Sequence, residues 1–139
     1  LQDCLDPLLP EGVIATAEYK DGHTETVLYS DESKLDLPTV VLVNKNTSSE
    51  AELFAVSLRD YSNAKLVGTK TKGKGVMQSV TEFENGGAVK LTVAEISNEV
   101  SGSFNGSGIS PEIQLDNDSP DYDAQYYRAI DTINSMLSE

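Results

Sequence analysis

The hydrophobic period changes several times along the chain, and each change marks an element. From Val13 to Tyr19 and from Thr24 to Tyr29 the pattern is that of two strands, set around Asp21-Gly22. That dipeptide favours the positive-φ conformations of a tight turn, so the segment predicts a β-hairpin. Thr39 to Val43 is a run of β-branched and aliphatic residues without polar alternation, as in a strand covered on both faces, which predicts the centre of the sheet. After a polar turn over Asn44 to Ser48, the stretch from Ser49 to Tyr61 places Leu53, Phe54, Ser57 and Leu58 at helical spacing, and Lys65 to Val67 returns to strand character. Strand, helix and strand within about thirty residues predict a βαβ unit.

Further on, Met77 to Phe83 and Ala88 to Ile96 predict a second hairpin through Asn85-Gly86-Gly87. Ser, Asn and Gly dominate from Ser97 to Pro111, which reads as an exposed loop. Ile113 to Leu115 predicts one more short strand. Asn117 to Ser119 offers a helix cap and Pro120 suits a first helical turn. Ala124, Tyr127, Ile130, Ile133, Met136 and Leu137 then line one face of a closing helix. The fold class expected is α/β, a central β-sheet with a βαβ unit and flanking helices, and β-hairpins on the periphery. At 139 residues the chain has the length of a single domain spanning 1–139.

Composition narrows the partners. With 23 acidic and 10 basic residues the formal net charge is −13, which repels phosphate backbones and anionic membrane surfaces, so nucleic acid is not an expected partner. Cys4 and His23 are the only residues of their kinds. They exclude an internal disulfide and a Cys/His metal cluster, and no metal or other cofactor is expected. No apolar run reaches the length of a membrane span. The chain begins with Leu1 rather than Met and is read as a processed or excised piece. Asn-x-Ser triplets at Asn46, Asn105 and Asn117 are glycan acceptors only in a eukaryotic secretory setting.

The candidate chemistry centres on Ser49 at the head of the predicted helix and Lys74, twenty-five positions on, within Gly73-Lys74-Gly75. Ser49 and Glu52 have the spacing of a capping box, as do Thr47 and Glu50, so a helix cap accounts for the serine without any chemistry. The same place also suits a nucleophile, because free N–H groups and the helix dipole favour an oxyanion there. A serine needs a base, and His23 sits beside a remote hairpin turn. A lysine serves when its amine is uncharged; burial between glycines and the like charges of Lys70 and Lys72 favour that state, and the acidic field of the chain opposes it. Gly68 to Lys74 also fits Gly-x-x-x-x-Gly-Lys after a strand. The phosphate-loop match fails at Gly75, where a Ser or Thr should hold magnesium, and at Val76 to Phe83, a strand where a helix should follow.

Several stretches occur together and in register: Val41-Leu42-Val43-Asn44, Ser49-Glu50-Ala51-Glu52-Leu53-Phe54-Ala55, Leu58-Arg59-Asp60-Tyr61, Val67-Gly68-Thr69, and Thr71-Lys72-Gly73-Lys74-Gly75-Val76-Met77-Gln78. With Lys90-Leu91-Thr92 and Gly106-Ser107-Gly108-Ile109-Ser110-Pro111-Glu112, they resemble the catalytic domain of the C-terminal processing peptidases, or tail-specific proteases. The resemblance implies a serine endopeptidase that cleaves extended or unstructured protein C-termini through an acyl-enzyme. Ser49 would be the nucleophile, Lys74 the general base, Gln78 the amide that orients the lysine, Asp60 a supporting acid, and the backbone N–H of Glu50 an oxyanion donor. It also implies an extracytoplasmic location in a bacterium, periplasmic, cell-surface or secreted, with a homo-oligomer or the remainder of the parent protein as further partners.

Three departures cut the other way. Glu50 follows the serine where small residues are usual, and Lys72 takes a usually aromatic place. The family's Asn-Pro-Gly-Gly turn, its preceding strand and any PDZ domain fall outside this chain. Losing one oxyanion donor typically costs about 2.7–4 kcal/mol of transition-state stabilisation, so the fragment alone is expected to be weak or inactive. The alternative is a non-catalytic peptide-binding or scaffolding module that pairs a sheet edge with an extended segment.

Overall fold

The computed structural model describes residues 1–31, 35–119 and 121–138 and divides its strands between two sheets. A short helix α1 (Gln2–Leu5) and a 3-10 turn (Asp6–Leu8) lead into the hairpin β1 (Gly12–Tyr19) and β2 (Thr24–Ser30). β3 (Val40–Val43), α2 (Glu50–Ser62) and β4 (Lys65–Gly68) form the βαβ unit, with β3 and β4 parallel and in register from Val40 opposite Lys65 to Val43 opposite Gly68. β5 (Val76–Glu82) and β6 (Ala88–Asn98) form the second hairpin, β7 (Gly102–Ser103) and β8 (Ile113–Gln114) are short, and α3 (Ala124–Met136) closes the chain. One sheet runs β2-β1-β6-β5 with β7 on β6 and is antiparallel; the other runs β3-β4-β8 and is parallel.

α2 joins the two sheets, packing on β4 of one and β6 of the other. It buries Leu53, Ala55, Val56 and Leu58, a wider face than a surface helix presents, because it is covered from more than one side. These residues share one core with Leu5, Leu9, Ile14, Leu28, Val43, Leu66, Phe104 and Ile109. Full burial of a leucine such as Leu58 or Leu66 contributes about 1.5–3 kcal/mol. The helix stops at Asn63, whose left-handed conformation (φ 57°) is the usual way to turn a chain off a helix end.

The α/β architecture and the βαβ unit agree with the sequence pattern, while four local expectations change. Among the described residues β3 is an edge strand and β4 lies between its neighbours; Leu42 is 46% exposed, so an unbroken apolar run does not here mean cover on both faces. The stretch from Ser97 to Pro111 is exposed over much of its length, but Asn98, Phe104, Ile109 and Pro111 are buried and the chain folds back over residues 71–75. The last helix is capped by Asp123, whose carboxylate accepts from the N–H of Tyr126 at 2.9 Å. Asn117 still assists, accepting from the N–H of Gln125 at 3.0 Å, while Pro120 lies outside the described residues. Finally, Tyr127, Ile130 and Leu137 of that helix are exposed, because the short strands of the parallel sheet give α3 only a narrow surface to cover.

Candidate active site

Ser49 is the N-cap of α2 and has φ 59° and ψ −121°. That backbone is strained for a residue with a Cβ, and such strain gathers at functional positions. Its cause is the sharp passage from the turn after β3 into the helix, where Thr47 Oγ1 accepts the N–H of Asn44 at 3.0 Å and Asn44 Oδ1 accepts that of Asn46 at 2.8 Å. Glu52, three residues into α2, is fully buried (0% exposed) and completes the capping box with Ser49.

The Glu52 carboxylate does more than cap. Its Oε2 accepts the N–H of Ser49 at 2.9 Å and the N–H of Lys74 at 2.8 Å. Its Oε1 accepts the Thr71 hydroxyl at 2.5 Å and the N–H of Gly73 at 2.7 Å. Two residues twenty-five positions apart therefore meet at a single oxygen, their backbone nitrogens no farther apart than two hydrogen bonds laid end to end. Burial pushes the Glu52 carboxyl up, but the hydrogen bonds from Thr71, Lys74, Gly73 and Ser49 outweigh it and hold the group below the ordinary glutamate value. The sequence marked Glu52 only as a capping partner. The added signal was an acidic residue next to Leu53 on a face that must be buried, where a charge needs several donors.

The loop carrying Lys74 is also held from the far side. The N–H of Lys72 reaches the Thr47 carbonyl at 3.0 Å, Thr71 and Ile109 exchange hydrogen bonds through Thr71 Oγ1 and both main chains, and the N–H of Gly106 reaches the Gly73 carbonyl at 2.9 Å. Gly73 (φ +81°) and Gly108 (φ +67°) allow this approach: a Cβ on Gly108 would stand 2.5 Å from the Thr71 carbonyl oxygen.

The other predicted residues lie around this centre or away from it. Glu50 is exposed and its N–H belongs to the first turn of α2, where no helical carbonyl takes it. Gln78 is exposed on β5 opposite Thr92, and its amide donates to Thr92 Oγ1 at 3.4 Å. Asp60 sits near the other end of α2, about 16 Å from Ser49 along the axis. There it accepts from Arg59 Nε at 2.8 Å and from the Ser101 hydroxyl at 2.5 Å, so the structure does not bring it to Ser49. Beside Ser49 a groove of about 370 Å³ lies between β3 and the first turns of α2, lined by Val41, Leu42, Thr47, Glu50, Ala51 and Phe54 among others. Among the described residues no group of His, Cys, Asp or Glu could hold a metal ion, and no helix is long and apolar enough to cross a membrane.

Residues 2–115 match the family model of peptidase family S41. The chain belongs to peptidase family S41. It is 40% identical over 109 residues to the carboxy-terminal processing protease CtpA of Bacillus subtilis, covering 78% of this chain and 23% of that protein. It is 34% identical over 137 residues to the carboxyl-terminal-processing protease of Synechocystis, covering 94% of this chain and 32% of that one. Among solved structures, the photosystem II D1 C-terminal processing protease superposes with a TM-score of 0.73 at 31% identity, over 82% of this chain and 30% of that chain. A lipoprotein from Streptococcus agalactiae superposes with a TM-score of 0.75 at 18% identity, over 95% of this chain and 48% of that one, a likeness of fold alone. The S41 chain described here thus spans about a quarter to a third of the curated relatives it matches.

Proposed function

We infer that this chain carries the nucleophile and base of a serine endopeptidase that trims extended or unstructured protein C-termini. The observation that carries the reading is the sharing of Glu52 Oε2 by the backbone N–H groups of Ser49 and Lys74. In the reaction, Ser49 Oγ attacks the scissile carbonyl carbon as the Lys74 amine takes the hydroxyl proton. The tetrahedral oxyanion collapses, the C–N bond breaks, and Lys74 returns the proton to the leaving amine. Water, deprotonated by the same amine, then hydrolyses the acyl-enzyme. The positive end of α2 and the N–H of Glu50 face the developing oxyanion. Gln78, whose amide here bonds Thr92 Oγ1, is the side chain four positions on from Lys74 that would orient it in the reacting state, and an extracytoplasmic setting goes with the family resemblance.

A fluorophosphonate probe on the full-length protein tests the reading. Labelling that maps to Ser49 and is lost in both Ser49→Ala and Lys74→Ala supports it. The open side of β3 and its apolar groove favour a second reading, a module that holds an extended peptide by strand addition without cleaving it. Peptide binding with no labelling under any condition would select that one.

A further inference from the structure

We propose that Glu52 is a positioning residue, its carboxylate fixing the Lys74 loop against the head of α2 so that base and nucleophile keep their relative placement. The proposal rests on the serine-lysine reading for its catalytic meaning and on four hydrogen bonds for its geometry. Oε2 takes Ser49 and Lys74, and Oε1 takes Thr71 and Gly73. Each donor belongs to one of the two segments to be aligned, and none belongs to the body of α2. All four are donors, two to each oxygen, and together they fill the roughly four acceptor sites that only an ionised carboxylate offers. A carboxylate also has no preferred face here, whereas an amide in its place must turn its NH2 toward two donors.

Glu52→Gln keeps the shape and removes that property. Turned toward Ser49 and Lys74, the new NH2 meets two N–H groups. Turned toward Thr71 and Gly73, it meets one hydroxyl able to rotate and one N–H that cannot. In either orientation at least one N–H on the serine or lysine segment loses its partner, and the loop shifts. Thr71 gives an independent handle, because Thr71→Ser keeps the hydroxyl that serves both Glu52 and the N–H of Ile109, and Thr71→Val removes it.

The test uses the full-length protein, with sites counted by fluorophosphonate titration and amide hydrogen exchange read residue by residue. Per titrated Ser49, Glu52→Gln is expected to lower kcat about 100-fold, the order of loss for reacting groups displaced by about 1 Å. KM should stay within about twofold, since substrate binding is not the interaction removed. Exchange should quicken at Ser49, Gly73 and Lys74 while the middle of α2 stays protected, and Thr71→Val should follow the same pattern with Thr71→Ser restoring it. Wild-type kcat in Glu52→Gln, unchanged exchange at those three amides, or exchange that rises evenly along α2 as in simple destabilisation, each overturns the proposal. If the wild-type protein never labels, the protease reading falls by itself. The exchange pattern then decides the positioning role: confined to the three amides it stands, and otherwise it goes.

Discussion

Ser49 is held at φ 59° and ψ −121°, a region that glycine enters freely and other residues enter at a cost of about 1–3 kcal/mol. Ser49→Gly should therefore relieve strain. Against the relief stand the lost cap, a few tenths of a kcal/mol for glycine, and the extra freedom glycine adds to the unfolded chain, about 0.5–1 kcal/mol. The expected balance is a gain from near zero to about 2 kcal/mol. Ser49→Ala keeps the Cβ and the strain and loses the hydroxyl, so it should cost about 0.5–2 kcal/mol. The ordering is the sharp result, with the glycine variant more stable than the alanine variant by about 0.5–4 kcal/mol. For a domain of this length each kcal/mol moves Tm by about 4 °C. Urea melts of the three proteins, with equal slopes to confirm a common unfolded state, provide the measurement, and both variants should lose fluorophosphonate labelling. An alanine variant as stable as the glycine variant would refute the claim that strain is stored at this position. A confirmed ordering would mean that the serine is kept at the expense of stability, as at functional sites generally.

Gly106 and Gly108 have nearly the same φ, +74° and +67°, but only at Gly108 would a Cβ strike backbone. Gly108→Ala should thus cost about 1–3 kcal/mol more than Gly106→Ala and should also quicken exchange at Thr71 and Ile109; equal melts of the two variants would dismiss the contact. Because the Glu52 carboxyl is held below its ordinary value, it stabilises the fold above the ordinary glutamate range and that contribution is lost as pH falls through the folded-state value. Acid melts should show this slope in the wild type and a shallower one in Glu52→Gln. Asp60→Asn, far along α2, should weaken the tie to Arg59 and Ser101 and lower stability by about 1 kcal/mol. Its labelling rate per folded molecule should stay near wild type, and a collapse matching Ser49→Ala would return Asp60 to the site. Leu66→Ala, at a fully buried position, should cost about 2–5 kcal/mol by denaturant titration.

Much of the fold was legible because it is written in local signals. Asp21-Gly22 and Asn85-Gly86-Gly87 announced their hairpins, and the change of period between Val43 and Lys65 announced the βαβ unit. What was not legible depends on contacts between distant segments. The edge position of β3 follows from which strands are present to pair with it, and no property of Val40 to Val43 encodes that. The polar loop after β6 reads as exposed throughout until Gly108 is seen to lie against Thr71 and Gly73, an approach that leaves no room for a Cβ and looks like flexibility in one dimension. α1 escaped notice because a helix of one turn has too few positions to show a period.

A helix cap and a nucleophile are compatible roles for Ser49, because the same carboxylate that caps α2 also holds the lysine segment. A capping box places an acidic side chain at the third helical position with its carboxylate turned back to the N-cap N–H. When that carboxylate is exposed it has nothing else to do. Glu52 is buried, so its remaining lone pairs must be met, and the donors that meet them are Thr71, Gly73 and Lys74. Capping the helix is thus the step that brings the lysine segment to the serine. It also answers how an acidic chain with a net charge of −13 can set a carboxylate beside a proposed base: four donors and the positive end of α2 draw on the charge. The exposed Glu50 has water for the same purpose. The carboxylate that matters for the base is therefore the one whose hydrogen bonds are complete, and removing a single donor, as Thr71→Val does, should disturb Lys74 more than removing the whole side chain of Glu50.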